Sequence, residues 1–142
     1  MGIKQDTTAI TAASEAHMSS YIAVLTSNDF KTSADRGAKM ATYYLPTVFF
    51  FMGGQRMELS GQSNYASLIS GTLDKVEGLP GVRGQRVDAI SENSAIVWLL
   101  LESHGVEISN VYFFRRLEDG TEGFEGGIFD GEAWLLKQLA KE

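Results

Sequence analysis

The sequence predicts an α+β domain, and three observations carry that prediction. Apolar residues recur at helical spacing in the first half of the chain, over residues 7–27, 31–43 and 63–76. The second half divides into β-rich runs at Glu92-Asn93, His104-Gly105 and Asp119-Gly120, the last a strong hairpin signal. The chain has 142 residues and is 44% hydrophobic, enough for a single core and one domain spanning 1–142. Helices gathered at the front and antiparallel strands at the back are the α+β pattern.

In the first helix, Ala9, Ala13, Ala16, Tyr21, Val24 and Leu25 fall on one stripe. Asn28 and Asp29 break it and are placed to cap the second helix, which Pro46 ends. TVFFFM (47–52) is a β-rich run, and Gly53-Gly54 turns it into a short strand near 56–59. Ser60 reads as the N-cap of the third helix, on which Tyr65, Leu68, Ile69, Leu73 and Val76 share a face. Strands are expected at 82–90, 94–103, 107–117 and 122–129, and Asp130 opens a last short helix over 132–139. The expected order is α-α-β-β-α-β-β-β-β-α.

The late strands are apolar on both faces. In VEISNVYFF (106–114), Ile108, Tyr112 and Phe114 share one face, while Val111 and Phe113 share the other. A sheet with one wet face would alternate cleanly. Both faces are therefore expected to be covered, one by helices and the other by a second copy, giving a homodimer through the sheet face.

Composition excludes several functions. Eighteen acids against twelve Lys plus Arg give a net charge of −6, which argues against nucleic acid or an anionic membrane as partner. With no cysteine there is no disulfide, thiol nucleophile or thiolate metal site. Two histidines, His17 and His104, are too few for a histidine-built metal site, so no metal is expected. Arg83, Arg86, Arg115 and Arg116 are outnumbered by acids and read as ion-pair partners. The N-terminus is polar, without a signal-peptide run, and the longest wholly apolar run, 95–101, is far too short to span a membrane. These features are those expected of a cytoplasmic protein.

Several local patterns, in this order, resemble the nuclear transport factor 2-like superfamily, and within it the SnoaL-like polyketide cyclases and the ketosteroid isomerases. YIAVLTSNDF (21–30) resembles the end of the superfamily's first helix. ATYYLPTVFFFMGG (41–54) resembles the close of the second helix and the opening of the sheet. Gly61 resembles the glycine before helix three, VWLLLESHG (97–105) a strand ending in the pattern Thr-His-x-Gly, and NVYFFRRLEDGTEGFEGGIFD (110–130) the last hairpin, closed by an Asp. The resemblance covers nearly the whole chain. It implies a strongly curved sheet wrapped around three helices, forming a cone with an apolar pocket at its mouth.

The resemblance also implies roles. Asp130 matches the acid/base carboxylate of the cyclases; it is equally well placed to cap the helix that follows. His104 matches their pocket histidine and would form an acid/base pair with it; the alternative is an inert turn histidine. Tyr21 matches the phenol that isomerases aim at an oxyanion, or else is a core tyrosine with its hydroxyl satisfied locally. Asn110 stands where the isomerases carry a second donor. Their general-base Asp would fall near Phe50, and VFFFM (48–52) holds no acid, which argues against that base. His17, one turn before Tyr21, and the aromatics Phe49, Phe51, Trp98, Tyr112 and Phe129 are further candidates for the pocket lining.

These readings converge on a cofactor-independent enzyme of cyclase, isomerase or lyase type. It would act by acid/base chemistry on a hydrophobic, polyketide- or terpenoid-like substrate. A non-catalytic ligand-binding or transport protein of the same fold, and a dimerisation or assembly module, are the alternatives.

Overall fold

The computed structural model describes residues 6–52, 54–74, 80–103 and 105–129. The elements, in order, are α1 (Thr8–Thr26), α2 (Ser33–Ala41), β1 (Tyr44–Met52), β2 (Gln55–Ser60), α3 (Gln62–Asp74), β3 (Gly81–Ser91), β4 (Ser94–Ser103), β5 (Val106–Arg116) and β6 (Glu122–Phe129). The expected α+β order therefore holds through β6. The helix expected over 132–139 lies outside the described residues.

The six strands form one open mixed sheet in the order β2-β1-β6-β5-β4-β3. β1 and β6 run parallel, and every other neighbouring pair is antiparallel. Register shifts fall between Tyr44 and Phe49, Val82 and Gly84, Ala89 and Ser91, and Phe113 and Phe114. Such bulges bend a strand and raise its twist, which curls this sheet around the helices. Pro46 lies inside the first of these irregular stretches, where its missing N–H breaks no ladder bond. It does not end α2; that helix stops at Ala41, and Thr42 and Tyr43 turn the chain into β1.

Two expected caps are replaced by neighbours. Thr32, not Asn28 or Asp29, caps α2: its Oγ1 accepts from the Asp35 N–H at 3.0 Å. Gly61, at φ +88°, turns β2 into α3, while the Ser60 hydroxyl pairs with Thr47 at 3.2 Å. The buried α1 stripe is Ile10, Ser14, Met18, Tyr21, Val24 and Leu25; of the expected stripe Ala9 and Ala16 are exposed, and Ser14 takes an inward place by satisfying its hydroxyl on the Ile10 carbonyl at 2.7 Å. Arg36 of α2 is also buried. It donates to the carbonyls of Val24 and Leu25 at 2.7 and 3.0 Å, so it caps the C-terminal end of α1 and locks α2 against it. Gly37 lets α2 press on α3; a Cβ there would stand 3.0 Å from the Ala66 carbonyl oxygen.

The concave face of the sheet holds the core. Val48 and Phe50 of β1, Val97 and Leu99 of β4, Ile108, Tyr112 and Phe114 of β5, and Phe124 of β6 are buried against the helices. The convex face carries the opposite parity. Phe51, Ile128, Val111 and Trp98 stand in register across four strands, flanked by Arg56 and Arg86. The next row is Phe49, Gly126, Phe113 and Ile96, flanked by Glu58 and Asp88. Phe51, Trp98 and Ile128 are exposed. No helix among the described residues is long and apolar enough to cross a membrane.

Candidate functional site

A cavity of about 150 Å³ opens between the helices and the concave face. Four layers of the fold build it. α1 contributes Tyr21 and Leu25, and α2 contributes Met40. α3 contributes Leu68, Ile69 and Leu73, which belong to the face expected from their helical spacing, and Thr72 beside them; Val76 of that expected face lies outside the described residues. The sheet contributes Tyr44, Phe50, Leu101, Asn110, Tyr112 and Phe129. The wall is apolar except where the phenols and the amide meet.

Tyr21 and Tyr44 share a hydrogen bond between their hydroxyls at 2.7 Å. The Asn110 amide donates to the Tyr112 hydroxyl at 3.4 Å, and the Tyr112 ring packs against Tyr21 with centroids 5.7 Å apart. All three rings are buried, and Tyr21 packs edge-on to both of the others. Burial pushes the hydroxyls of Tyr21 and Tyr44 well above the ordinary phenol range, since charge is costly where water is excluded. Burial also raises Tyr112, to about 12; the hydrogen bond from Asn110 opposes that rise. At neutral pH the cluster is therefore a set of neutral donors. The Thr72 hydroxyl is engaged by the Leu68 carbonyl at 2.9 Å. No carboxylate, imidazole or cation lines the cavity among the described residues.

Of the candidate positions, Tyr21, Asn110, Tyr112 and Phe129 come together at this cavity. Asp130 and His104 lie outside the described residues. Three candidates face elsewhere. Phe49 and Phe51 point to the convex side, because β1 presents Val48 and Phe50 inward, and Phe50 takes the lining place. Trp98 is on the convex side too, its indole N–H donating to Asp88 at 2.9 Å, since β4 turns Val97 and Leu99 inward. His17 does not reach the cavity. It is enclosed by the rings of Tyr43, Phe114 and Phe124, with Nε2 2.9 Å from the Tyr43 carbonyl oxygen.

Sequence reasoning did not single out Tyr44. Its signal was present, a second tyrosine in the YYLP turn into β1, but only the three-dimensional pairing with Tyr21 distinguishes it from a core residue. Arg83, Arg86, Arg115 and Arg116 pair with Glu102, Asp88, Glu125 and Glu122. Among the described residues no group of three His, Cys, Asp or Glu is placed to hold a metal ion.

The His17 environment sets a pH dependence. Burial lowers its pKa below the ordinary value of 6.5, against the opposing effects of the Tyr43 carbonyl and Glu122. Below about pH 6.5 the unfolded chain takes up a proton that the folded chain resists. The stabilisation is therefore complete above that pH and is lost as pH falls through the lower, folded value. Thermal midpoints measured between pH 7.5 and 5 should fall, and His17→Gln should flatten that part of the slope. An unchanged slope in the variant assigns the acid sensitivity to other groups.

No protein-family model matches the sequence, and no curated protein sequence matches it. Solved structures do. A nuclear transport factor 2-like protein of unknown function from Pseudomonas putida superimposes with a TM-score of 0.64 at 12% identity, covering 89% of this chain and 88% of that one. A ketosteroid isomerase-like protein from Erwinia carotovora atroseptica gives 0.64 at 16% identity, covering 84% and 93%. A second nuclear transport factor 2-like protein of unknown function, from Silicibacter pomeroyi, gives 0.52 at 12% identity, covering 87% and 97%. At such identities the likeness speaks for the fold, and fold alone does not assign chemistry. Three helices held in the curve of an open six-stranded mixed sheet, shared over most of each chain, give this protein the nuclear transport factor 2-like fold.

Proposed function

We propose that the protein is a cofactor-independent enzyme of isomerase, cyclase or lyase type that acts on an apolar substrate held in the cone by its oxygen. The observation that carries this reading is that Tyr21, Tyr44, Tyr112 and Asn110 line a largely apolar cavity and are joined by the Tyr21–Tyr44 and Asn110–Tyr112 hydrogen bonds. When a proton leaves the carbon beside a carbonyl, negative charge grows on the oxygen. Neutral donors already fixed in a dry site favour that charged state more than the ground state, which is what accelerates a reaction. The phenols suit this role because burial keeps them protonated.

The proton carrier in this proposal is Asp130 with His104 beside it, on the resemblance to the cyclases. β1 offers no carboxylate as an alternative, since Tyr44 and Phe50 are the side chains it sends to the cavity. A polyketide- or terpenoid-like substrate fits the apolar walls. The test uses ketones of one to three rings in heavy water, following hydrogen exchange beside the carbonyl by NMR. Wild type should catalyse exchange and Asp130→Asn should abolish it, with ketone binding retained. Ketone binding without any exchange would favour the non-catalytic ligand-binding reading. That second reading has one specific support: no described lining residue is a carboxylate or an imidazole.

The protein is further proposed to be a homodimer through the convex face. One apolar row there ends in Arg56 and Arg86, and its neighbour ends in Glu58 and Asp88. A two-fold axis lying between the rows and parallel to them sets the arginine-ended row of one copy over the carboxylate-ended row of the other. Such a face is complementary to itself.

A further inference from the structure

We propose that His17 is the positioning residue of the Tyr21–Tyr44 phenol pair. By donating from Nε2 to the Tyr43 carbonyl it fixes the peptide that leads into Tyr44, and with it the place of the Tyr44 hydroxyl. This rests on the reading of the phenols as the donors that meet a ligand's oxygen, and it names a residue outside the cavity that sets them.

α1 reaches the Tyr43–Tyr44 dipeptide with three side chains at i, i+3 and i+4, positions that neighbour one another on a helix. His17 Nε2 lies 2.9 Å from the Tyr43 carbonyl oxygen. Ser20 shares a hydrogen bond with the Tyr43 hydroxyl at 2.5 Å, and Tyr21 shares one with the Tyr44 hydroxyl at 2.7 Å. The Tyr43 ring packs edge-on to both His17 and Tyr21, with centroids 5.0 and 5.4 Å away. The Ser20 bond lies at the surface, where water competes with it, whereas the His17 bond is half-buried. His17 therefore makes the stronger of the two grips on Tyr43.

The acceptor fixes the proton. A carbonyl oxygen only accepts, so the Nε2 that faces it carries the hydrogen, and the neutral ring is the Nε2–H tautomer. The same oxygen accepts the Phe124 N–H at 2.9 Å. It is thus held from two sides, by β6 and by α1. This carbonyl and the Tyr44 nitrogen belong to one planar peptide unit. Fixing that plane sets the direction in which Tyr44 enters β1, and hence where its ring goes. The sheet holds this end of β1 only thinly. Pairing with β6 is confined to Tyr44 and Phe124 before it resumes at Phe49, and pairing with β2 begins at Thr47. The bond from His17 falls where the ladder is sparse.

The experiment is NMR of the full chain with isotope-labelled histidine and tyrosine, the tyrosine label placed at Cζ, the carbon that bears the hydroxyl and reports its hydrogen bonding. Tyr44→Phe assigns the Tyr44 signal, and Tyr21→Phe measures its displacement when the pair is broken. The histidine signal lost in His17→Gln is that of His17, and in neutral wild type it is expected to show the Nε2–H tautomer. His17→Leu fills the space without a donor and should move the Tyr44 signal by at least half the displacement seen in Tyr21→Phe. His17→Gln keeps an amide donor at the reach of Nε2 and should leave that signal near its wild-type place. Should His17→Leu fail to fold, His17→Asn, whose amide is too short to reach the carbonyl, takes its place. Loss of stability alone does not displace the signals of the folded state, so the readout separates positioning from a merely structural role. An Nδ1–H tautomer, an unmoved Tyr44 signal in the folded donor-less variant, or a displacement in His17→Gln as large as in that variant overturns the inference. Titration with cyclohexanone keeps the ligand reading apart. Where wild type binds it, the donor-less variant should bind roughly three- to tenfold more weakly, the scale of one lost hydrogen bond, and His17→Gln should not. A wild type that binds no ketone removes the ligand reading, while the phenol signals still decide the role of His17.

Discussion

Trp98→Glu is expected to turn a dimer into a monomer without unfolding the chain. Trp98 lies in the convex row with Phe51, Val111 and Ile128, and it is 42% exposed in the isolated chain. Its indole N–H donates to Asp88 at 2.9 Å, and the ring remains exposed on the convex side. Under the proposed two-fold arrangement this ring is the β4 end of the apolar row, inside its Arg86 flank, and it is the row's largest aromatic anchor, the residue type that carries much of the binding energy at interfaces. A glutamate there would be desolvated on association with no cation reserved for it, since Arg86 is already paired with Asp88 at 3.0 Å. The dimer should weaken by a factor on the order of 100 or more. The monomer itself should lose little stability, because the replaced side chain faces away from the core. Sedimentation velocity of wild type and variant over a range of concentrations measures this. A wild type that is monomeric at the highest concentration would remove the homodimer from the account.

Gly126→Ala is expected to be the most damaging single methyl addition in the sheet. β6 passes between β1 and β5, and at Gly126 a Cβ would run into the Phe49 carbonyl of β1. The obstacle is backbone, which cannot rotate away as a side chain can. The substitution must either spread the parallel β1–β6 pair or break it. The convex face also depends on this glycine: with no side chain there, the Phe49 and Phe113 rings stack across it at 5.7 Å. Overpacking with no room to yield destabilises by on the order of 3 kcal/mol or more, a large part of a typical domain's margin. For a chain of this size that corresponds to a melting point lower by roughly 10 °C. Gly84→Ala is the control, since a Cβ at Gly84 meets nothing within 4 Å. Equal losses at the two positions would mean that strand propensity, not the close approach, sets the cost.

Much of this architecture was legible in the chain. Helix stripes and turn dipeptides located all nine described elements, with ends that differ by a few residues where caps compete. Thr32 and Gly61 took the roles expected of Asn28 and Ser60, because the chain path, not local propensity, selects among adjacent polar residues and glycines. The site was only partly legible, and the reason is parity. In VFFFM three successive phenylalanines give both faces of β1 the same residue type, so no pattern tells which one points inward. Register against β2 and β6 decides for Phe50. β4 is apolar at nearly every position, and the same ambiguity hides the outward turn of Trp98, which its pairing with Asp88 reveals. His17 shares a helix face with Tyr21, yet the Tyr43, Phe114 and Phe124 rings enclose it before it reaches the cavity. Tyr44 joined the site only through its hydroxyl contact with Tyr21. Long-range pairing of this kind has no local signature.

The most direct test of the central claim is a crystal structure of the full chain soaked in cyclohexanone. The account predicts the ring between α3 and the aromatic wall of the sheet, with its oxygen within hydrogen-bond distance of the phenol cluster. A cone with no room for the ligand, or a ketone seated on the convex face with the phenols untouched, would contradict it.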